Sequence, residues 1–136
     1  MSQSGGLPGL PAYVLDASAI LAYSRGEEGA SVVGPLLERS VISAVNWAEV
    51  LQRAISLGLG DQGKREDLES IGVQIFPFTA EEAGSVARLW ATTRQAGLSL
   101  GDRACLGLAY RLGLPVLTAD RAWDALNLEV EVRLIR

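Results

Sequence analysis

The sequence predicts an α/β domain built on a mostly parallel sheet. Two observations carry that expectation. From Tyr13 onward, short β-branched or apolar runs alternate with longer segments of helical period, and two of the apolar runs, in AYVLDASA and PVLTADRAW, end on an aspartate just before a new element begins. With 136 residues and 49% hydrophobic content, the chain can bury about two-thirds of its unfolded surface around one core.

Residues 1–12, MSQSGGLPGLPA, lack the basic and apolar regions of a secretory signal and read as a flexible leader, leaving 13–136 as a single domain. The first strand is Tyr13 to Leu15. Glu27 to Arg39 is helical in pattern, but Pro35 must kink or restart it, because proline lacks an amide donor and crowds the preceding turn. Val41 to Ile42 forms the next strand and Asn46 to Leu57 the helix after it. The stretch 58–72, GLGDQGKREDLESIG, combines turns with a short charged helix.

A third strand spans Val73 to Phe76. Ala83, Val86, Ala87 and Trp90 have the spacing of one helical face and predict a helix over Ala80 to Gln95. Thr79 and Glu82 make a capping box at its start, Phe78 stands where a staple to Ala83 would sit, and Gly97 ends it. Leu100 to Leu112 is the next helix, stopped by Gly113, and Pro115 opens the strand Val116 to Thr118. The alternating run Val130 to Ile135 reads as an edge strand.

Composition excludes several chemistries. There is no histidine, which removes imidazole catalysis, Ser-His-Asp triads and the usual zinc sites. The one cysteine, Cys105, has no disulfide partner, sits among apolar residues and suits a reducing, cytoplasmic setting. No apolar stretch approaches the roughly 20 residues of a membrane helix, so no membrane partner is expected. Twelve basic against 16 acidic residues leave a net charge of −4, which argues against a simple basic groove for nucleic acid.

The chemistry must then rest on carboxylates. Asp16 and Asp120 each follow an apolar strand and precede a helix, and each could be no more than a helix N-cap. Ser99 and Asp102 form a capping-box-like pair, yet Asp102 also lies on the stripe of Leu106, Ala109 and Leu112. Glu49 points away from the face of Trp47, Leu51 and Ala54, so its periodicity reads as solvent-facing. In open parallel sheets, sites form outside the carboxyl ends of the strands, where Asp16 and Asp120 end two strands and where the helices bearing Asp102 and Glu49 begin. Four acids gathered there would repel one another unless a cation joined them, and all-oxygen ligands select magnesium or manganese. Such an ion activates water for phosphodiester hydrolysis without histidine, and two of them would offset the four charges.

VLDASAILA, ISAVNWAEVL, GLSLGDRACLGLAYRLGLPVLTADRAW and the terminal VEVRLIR together resemble the PIN-domain ribonucleases, in particular the VapC-type toxins of bacterial toxin–antitoxin pairs. The likeness runs through nearly the whole chain from Tyr13. It implies a PIN-like three-layer α/β/α sandwich with a mostly parallel five-stranded sheet. It also implies an acidic cluster of Asp16, Glu49, Asp102 and Asp120, with Asp16 and Asp102 most directly on the metal. By the same resemblance the protein is a Mg2+- or Mn2+-dependent endoribonuclease acting on RNA, a homodimer, and silenced by a small antitoxin. Ser18 and Thr118 stand where a hydroxyl could bond a carboxylate. The leader and Asp124 depart from the family pattern; Asp124 reads as solvent-facing. Trp47 and Trp123 read as core residues rather than base-stacking ones, and Arg103 and Arg121 as neighbours of the site without an assigned contact.

Two rival functions are a PIN-like module that only binds a protein, its acids serving as helix caps, and a phosphatase or receiver-like domain with Asp16 as nucleophile. The second is disfavoured because VLDASA has no aspartate two residues on and Lys64 is the only lysine.

Overall fold

The structure, a computed structural model, describes residues 9–136. Residues 1–8 of the expected leader lie outside the described residues. Of the remainder, the Ala12 amide donates to the Arg39 carbonyl at 2.7 Å and Arg39 Nε to the Leu10 carbonyl at 3.2 Å, fastening the entry to the first strand.

Five strands form one sheet: β1 Tyr13–Leu15, β2 Ser40–Ser43, β3 Gln74–Phe76, β4 Val116–Thr118 and β5 Val132–Leu134, in the order β3-β2-β1-β4-β5. All four pairings are parallel, with Val14 opposite Val41 on one side and Val116 on the other. The expected edge strand is β5, shorter than the run Val130 to Ile135 and paired only with β4.

Because strand side chains alternate, β1, β2 and β4 feed two cores. Leu15, Ile42 and Leu117 pack on one face with helices α1 (Ala17–Ser24), α3 (Ala44–Ser56) and α4 (Lys64–Ser70). Val14, Val41 and Val116 pack on the other with Cys105, Leu106 and Leu108 of α6 (Leu100–Leu112) and with Trp123; Leu89 of α5 (Ala80–Thr93) joins them. The result is the expected three-layer α/β/α sandwich. No helix among the described residues is long and apolar enough to cross a membrane.

Local signals explain most boundaries. Pro35 does restart the chain: α2 (Ala30–Val33) gives way to a 3-10 segment, Gly34–Arg39, with the proline in its first turn. Ser43 caps α3, accepting from the Val45 amide at 3.2 Å, so the helix begins at Ala44 rather than Asn46 and Glu49 falls in its second turn. The helix α6 runs between the expected Leu100 and Leu112, and its C-cap Gly113 is left-handed, with φ of 67°.

One helical face was misread. Trp90 is 49% exposed, and Ala83 and Ala87 face solvent as well. The buried stripe of α5 is Glu82, Val86 and Thr93, with Leu89 half-buried beside them, a phase that places a carboxylate indoors, where Arg111 of α6 pairs with it at 2.9 Å. Thr79 accepts from the Glu82 amide at 3.2 Å as expected, while the Glu82 side chain turns to Arg111.

Candidate active site

The centre of the sheet ends at Asp16, directly after β1. Its backbone is extended at the N-cap position of α1, but its side chain caps nothing. Instead one oxygen, Oδ2, accepts from Ser18 Oγ at 2.6 Å and from Thr118 Oγ1 at 2.9 Å. Ser18 Oγ in turn accepts from the Ala119 amide at 2.9 Å and Thr118 Oγ1 from the Asp120 amide at 3.0 Å, and the two hydroxyl oxygens stand 3.3 Å apart. Each hydroxyl therefore has its own proton to give to Asp16. The loop after β4 thus holds the carboxylate through two hydroxyl relays.

Asp16 is only 6% exposed. Burial pushes its carboxyl above the ordinary value of 3.8; the Ser18 and Thr118 hydrogen bonds oppose that rise and the Asp102 charge adds to it.

Asp102 does form the capping box: its amide donates to Ser99 Oγ at 3.1 Å, and its Oδ2 accepts from the Ser99 amide at 2.9 Å. That bond fixes the carboxylate at the first turn of α6 and leaves Oδ1 for another partner. The capping and site readings are compatible.

Glu49 is half-buried rather than solvated. Its Oε1 accepts from Asn46 Nδ2 at 3.0 Å, and the same Nδ2 donates to the Gly101 carbonyl at 2.9 Å. A Cβ on Gly101 would stand 2.2 Å from Glu49 Oε2, so this carboxylate occupies the space a side chain would take. Burial raises the Glu49 carboxyl, the Asn46 bond opposes it, and the Asp16 and Asp102 charges push it further up.

Cys105 lies beneath these groups, fully buried as expected. Its thiol is pushed well above the usual range by burial first, then by the charges of Asp16, Asp102 and Glu49. Three of the four expected acids are therefore mutually close. Asp120 stands apart: it is exposed, and its Oδ1 caps the 3-10 segment Arg121–Ala125 by accepting from the Ala122 amide at 3.0 Å.

Among the described residues, none of the four acids forms an ion pair with lysine or arginine; the five ion pairs lie elsewhere. No three such side chains converge closely enough to hold an ion as they stand. The donor set nevertheless suits a hard divalent cation: carboxylate oxygens only, uncompensated, two of them, on Asp16 and Glu49, with raised proton affinities that such a cation would reverse.

The neighbours singled out in sequence take ordinary roles. Trp47 and Trp123 are core residues at 8% and 1% exposure, and Asp124 faces solvent. Arg103 turns from the acids to donate to the Val86 carbonyl at 3.0 Å, and Arg121 is exposed. Asn46 and Gly101 had escaped notice, although Asn46 precedes Glu49 by the three residues that place side chains side by side on a helix.

The family model for the PIN domain matches residues 13–128. Ribonuclease VapC42 of Mycobacterium tuberculosis is 32% identical over 115 residues, spanning 76% of this chain and 87% of that protein. A VapC ribonuclease of Mycobacterium bovis matches over the same spans, also at 32% identity. Among solved structures, a toxin–antitoxin complex from Klebsiella pneumoniae superposes with a TM-score of 0.71 at 19% identity, covering 92% of this chain and 98% of that one. DNA-bound VapBC from Salmonella typhimurium gives a TM-score of 0.70 at 16% identity, over 93% and 100% of the two chains. At these identities the structural likeness is one of fold.

Proposed function

The chain belongs to the PIN domain family, and from that premise we propose that it is a divalent-metal-dependent endoribonuclease, the toxin of a toxin–antitoxin pair, whose site is built from Asp16, Glu49, Asp102 and Asp120. The observation that carries the proposal is the gathering of Asp16, Glu49 and Asp102 beside the carboxyl end of β1, with no ion pair to a basic side chain among the described residues.

Asp16, Glu49 and Asp102 would hold the ion, magnesium or manganese, with Asp120 at the rim. When bound, a divalent cation supplies Lewis acidity toward a phosphate oxygen and an acidified water. The chain's own residues do the positioning. Ser18 and Thr118 present Asp16 with its second oxygen free, and the Ser99 amide does the same for Asp102. Asp120, presented by the loop after Thr118, could orient water or substrate from the exposed side. With three anions at the centre, the site binds RNA phosphate only once the cation has neutralised them.

The partners on this reading are RNA, a small antitoxin protein and a second copy of the chain, in the cytoplasm. Support for the antitoxin comes from the names of the fold neighbours, which are toxin–antitoxin complexes.

The test is cleavage of a pool of transfer, ribosomal and messenger RNA with Mg2+ or Mn2+, beside Asp102→Asn and a chelator control. Defined products that vanish in both controls are expected. An Asp102→Asn protein that cuts as well as wild type refutes the assignment. A second reading, a protein-binding module, is favoured by the capping bonds of Asp102 and Asp120. It predicts that Mn2+ leaves thermal unfolding unchanged.

A further inference from the structure

We propose that Asn46 is a positioning residue for this site, pinning the Glu49 carboxylate to the first turn of α6 and so fixing it relative to Asp102. The inference rests on the metal-dependent reading above. Asn46 has no exposed surface, and its Nδ2 spans two helices: within α3 to Glu49 Oε1 at 3.0 Å, and 55 residues away to the Gly101 carbonyl at 2.9 Å. Both partners are acceptors, which settles the orientation of the amide, since turning it over would set oxygen against oxygen twice.

The first turn of α6 also makes room for Glu49. Gly101 has ordinary helical backbone and needs no glycine for its dihedral angles, yet any Cβ there would collide with Glu49 Oε2 at 2.2 Å. The carboxylate thus takes an Asn46 hydrogen bond and fills the room that Gly101 leaves, one residue before Asp102.

A purely structural role explains Asn46 poorly. Its Oδ1 is buried without a hydrogen-bond partner, an arrangement that costs about 1–3 kcal/mol. The Gly101 carbonyl lies inside α6, where the amide four residues on serves it. An apolar residue of similar volume would fill the space without the orphaned oxygen. What it would not do is hold Glu49.

The experiment is calorimetric titration of Mn2+ into wild type, Asn46→Leu, Glu49→Ala and the double variant, with metal-free melting temperatures alongside. Asn46→Leu removes both donors at near-constant volume and adds no charge. The expected result is an Mn2+ affinity about 10–100-fold weaker than wild type, the usual effect of losing a ligand's supporting hydrogen bond. In the Glu49→Ala background the same substitution should cost nothing further. Wild-type affinity in a folded Asn46→Leu protein overturns the proposal whatever its melting temperature, and so does a penalty that persists without Glu49. If the leucine variant does not fold, Asn46→Ala is read in the same way. Should wild type itself bind no Mn2+, the metal reading falls and this inference falls with it.

Discussion

Thr118 donates its hydroxyl proton to Asp16 Oδ2 across 2.9 Å, joining two residues 102 positions apart, while its oxygen accepts from the Asp120 amide at 3.0 Å. One methyl-sized group thereby couples the first strand's terminal carboxylate to the loop that carries Asp120. Thr118→Val keeps the shape and removes both bonds. Leaving the Asp120 amide and one arm of Asp16 unserved should cost about 1–3 kcal/mol, read as a lower denaturant midpoint with an unchanged slope. A midpoint equal to wild type would show that the relay contributes nothing to the fold.

Asp16 also makes metal-free stability depend on pH. Its carboxyl is raised in the folded state, by burial first and by Asp102 next, so folding disfavours the ionised form. Below about 3.8 the group is protonated whether folded or not and contributes nothing. As pH rises, the unfolded chain ionises first and stability is lost, fully so above the folded value. Asp16→Asn should therefore melt higher than wild type near neutral pH without metal, by a few degrees, with the gap closing as the solution is acidified. A lower melting temperature for the variant would mean that the hydroxyl bonds outweigh burial.

Gly101→Ala separates helix stability from site geometry. Alanine is a better helix former than glycine, so α6 should not suffer. The new Cβ must displace Glu49. Melting within a few degrees of wild type, combined with a tenfold or greater loss of RNA cleavage, is the expected pair of results. Full cleavage would show that Glu49 has room to relocate without consequence.

The pair Glu82–Arg111 joins α5 to α6 with one partner buried, Glu82 at 3% exposure. Arg111→Ala strands that carboxylate, and the expected loss is about 1–3 kcal/mol, discounted because the arginine is half exposed. Glu82→Gln in the same background should recover part of it, since a neutral amide tolerates burial better. Equal chemical-denaturation midpoints for all three proteins would contradict this.

Where local chemistry decides, the sequence was readable. Ser99, Asp102 and Gly113 write both ends of α6 in side-chain and dihedral terms, and Pro35 marks its own break. Side-chain phase was harder. The covered surface of α3 is wide, with Trp47, Val50 and Leu51 in the core and Asn46 and Glu49 turned to the start of α6, and a single apolar stripe cannot report two contacts. That is why Glu49 looked solvated and Asn46 went unnoticed: a buried amide has no signature until its acceptors, one of them 55 residues off, are in place. The phase of α5 failed for a related reason, because an interior glutamate is disfavoured unless paired, and its partner lies on another helix. Of the four acids, Asp16, Glu49 and Asp102 come together as the strand-end argument expects, whereas Asp120 shares their rim and not their immediate surroundings.

The sheet order also governs when the site can exist during synthesis. The pairs β1–β2 and β2–β3 are complete once residue 76 has left the ribosome, but β1 gains its other neighbour only from residues 116–118. At synthesis rates of about 5–20 residues per second, a nascent chain therefore spends seconds carrying Asp16 without the strand and hydroxyl that orient it. A polypeptide whose finished form cuts RNA would thus be translated beside its own message in a state that cannot yet do so.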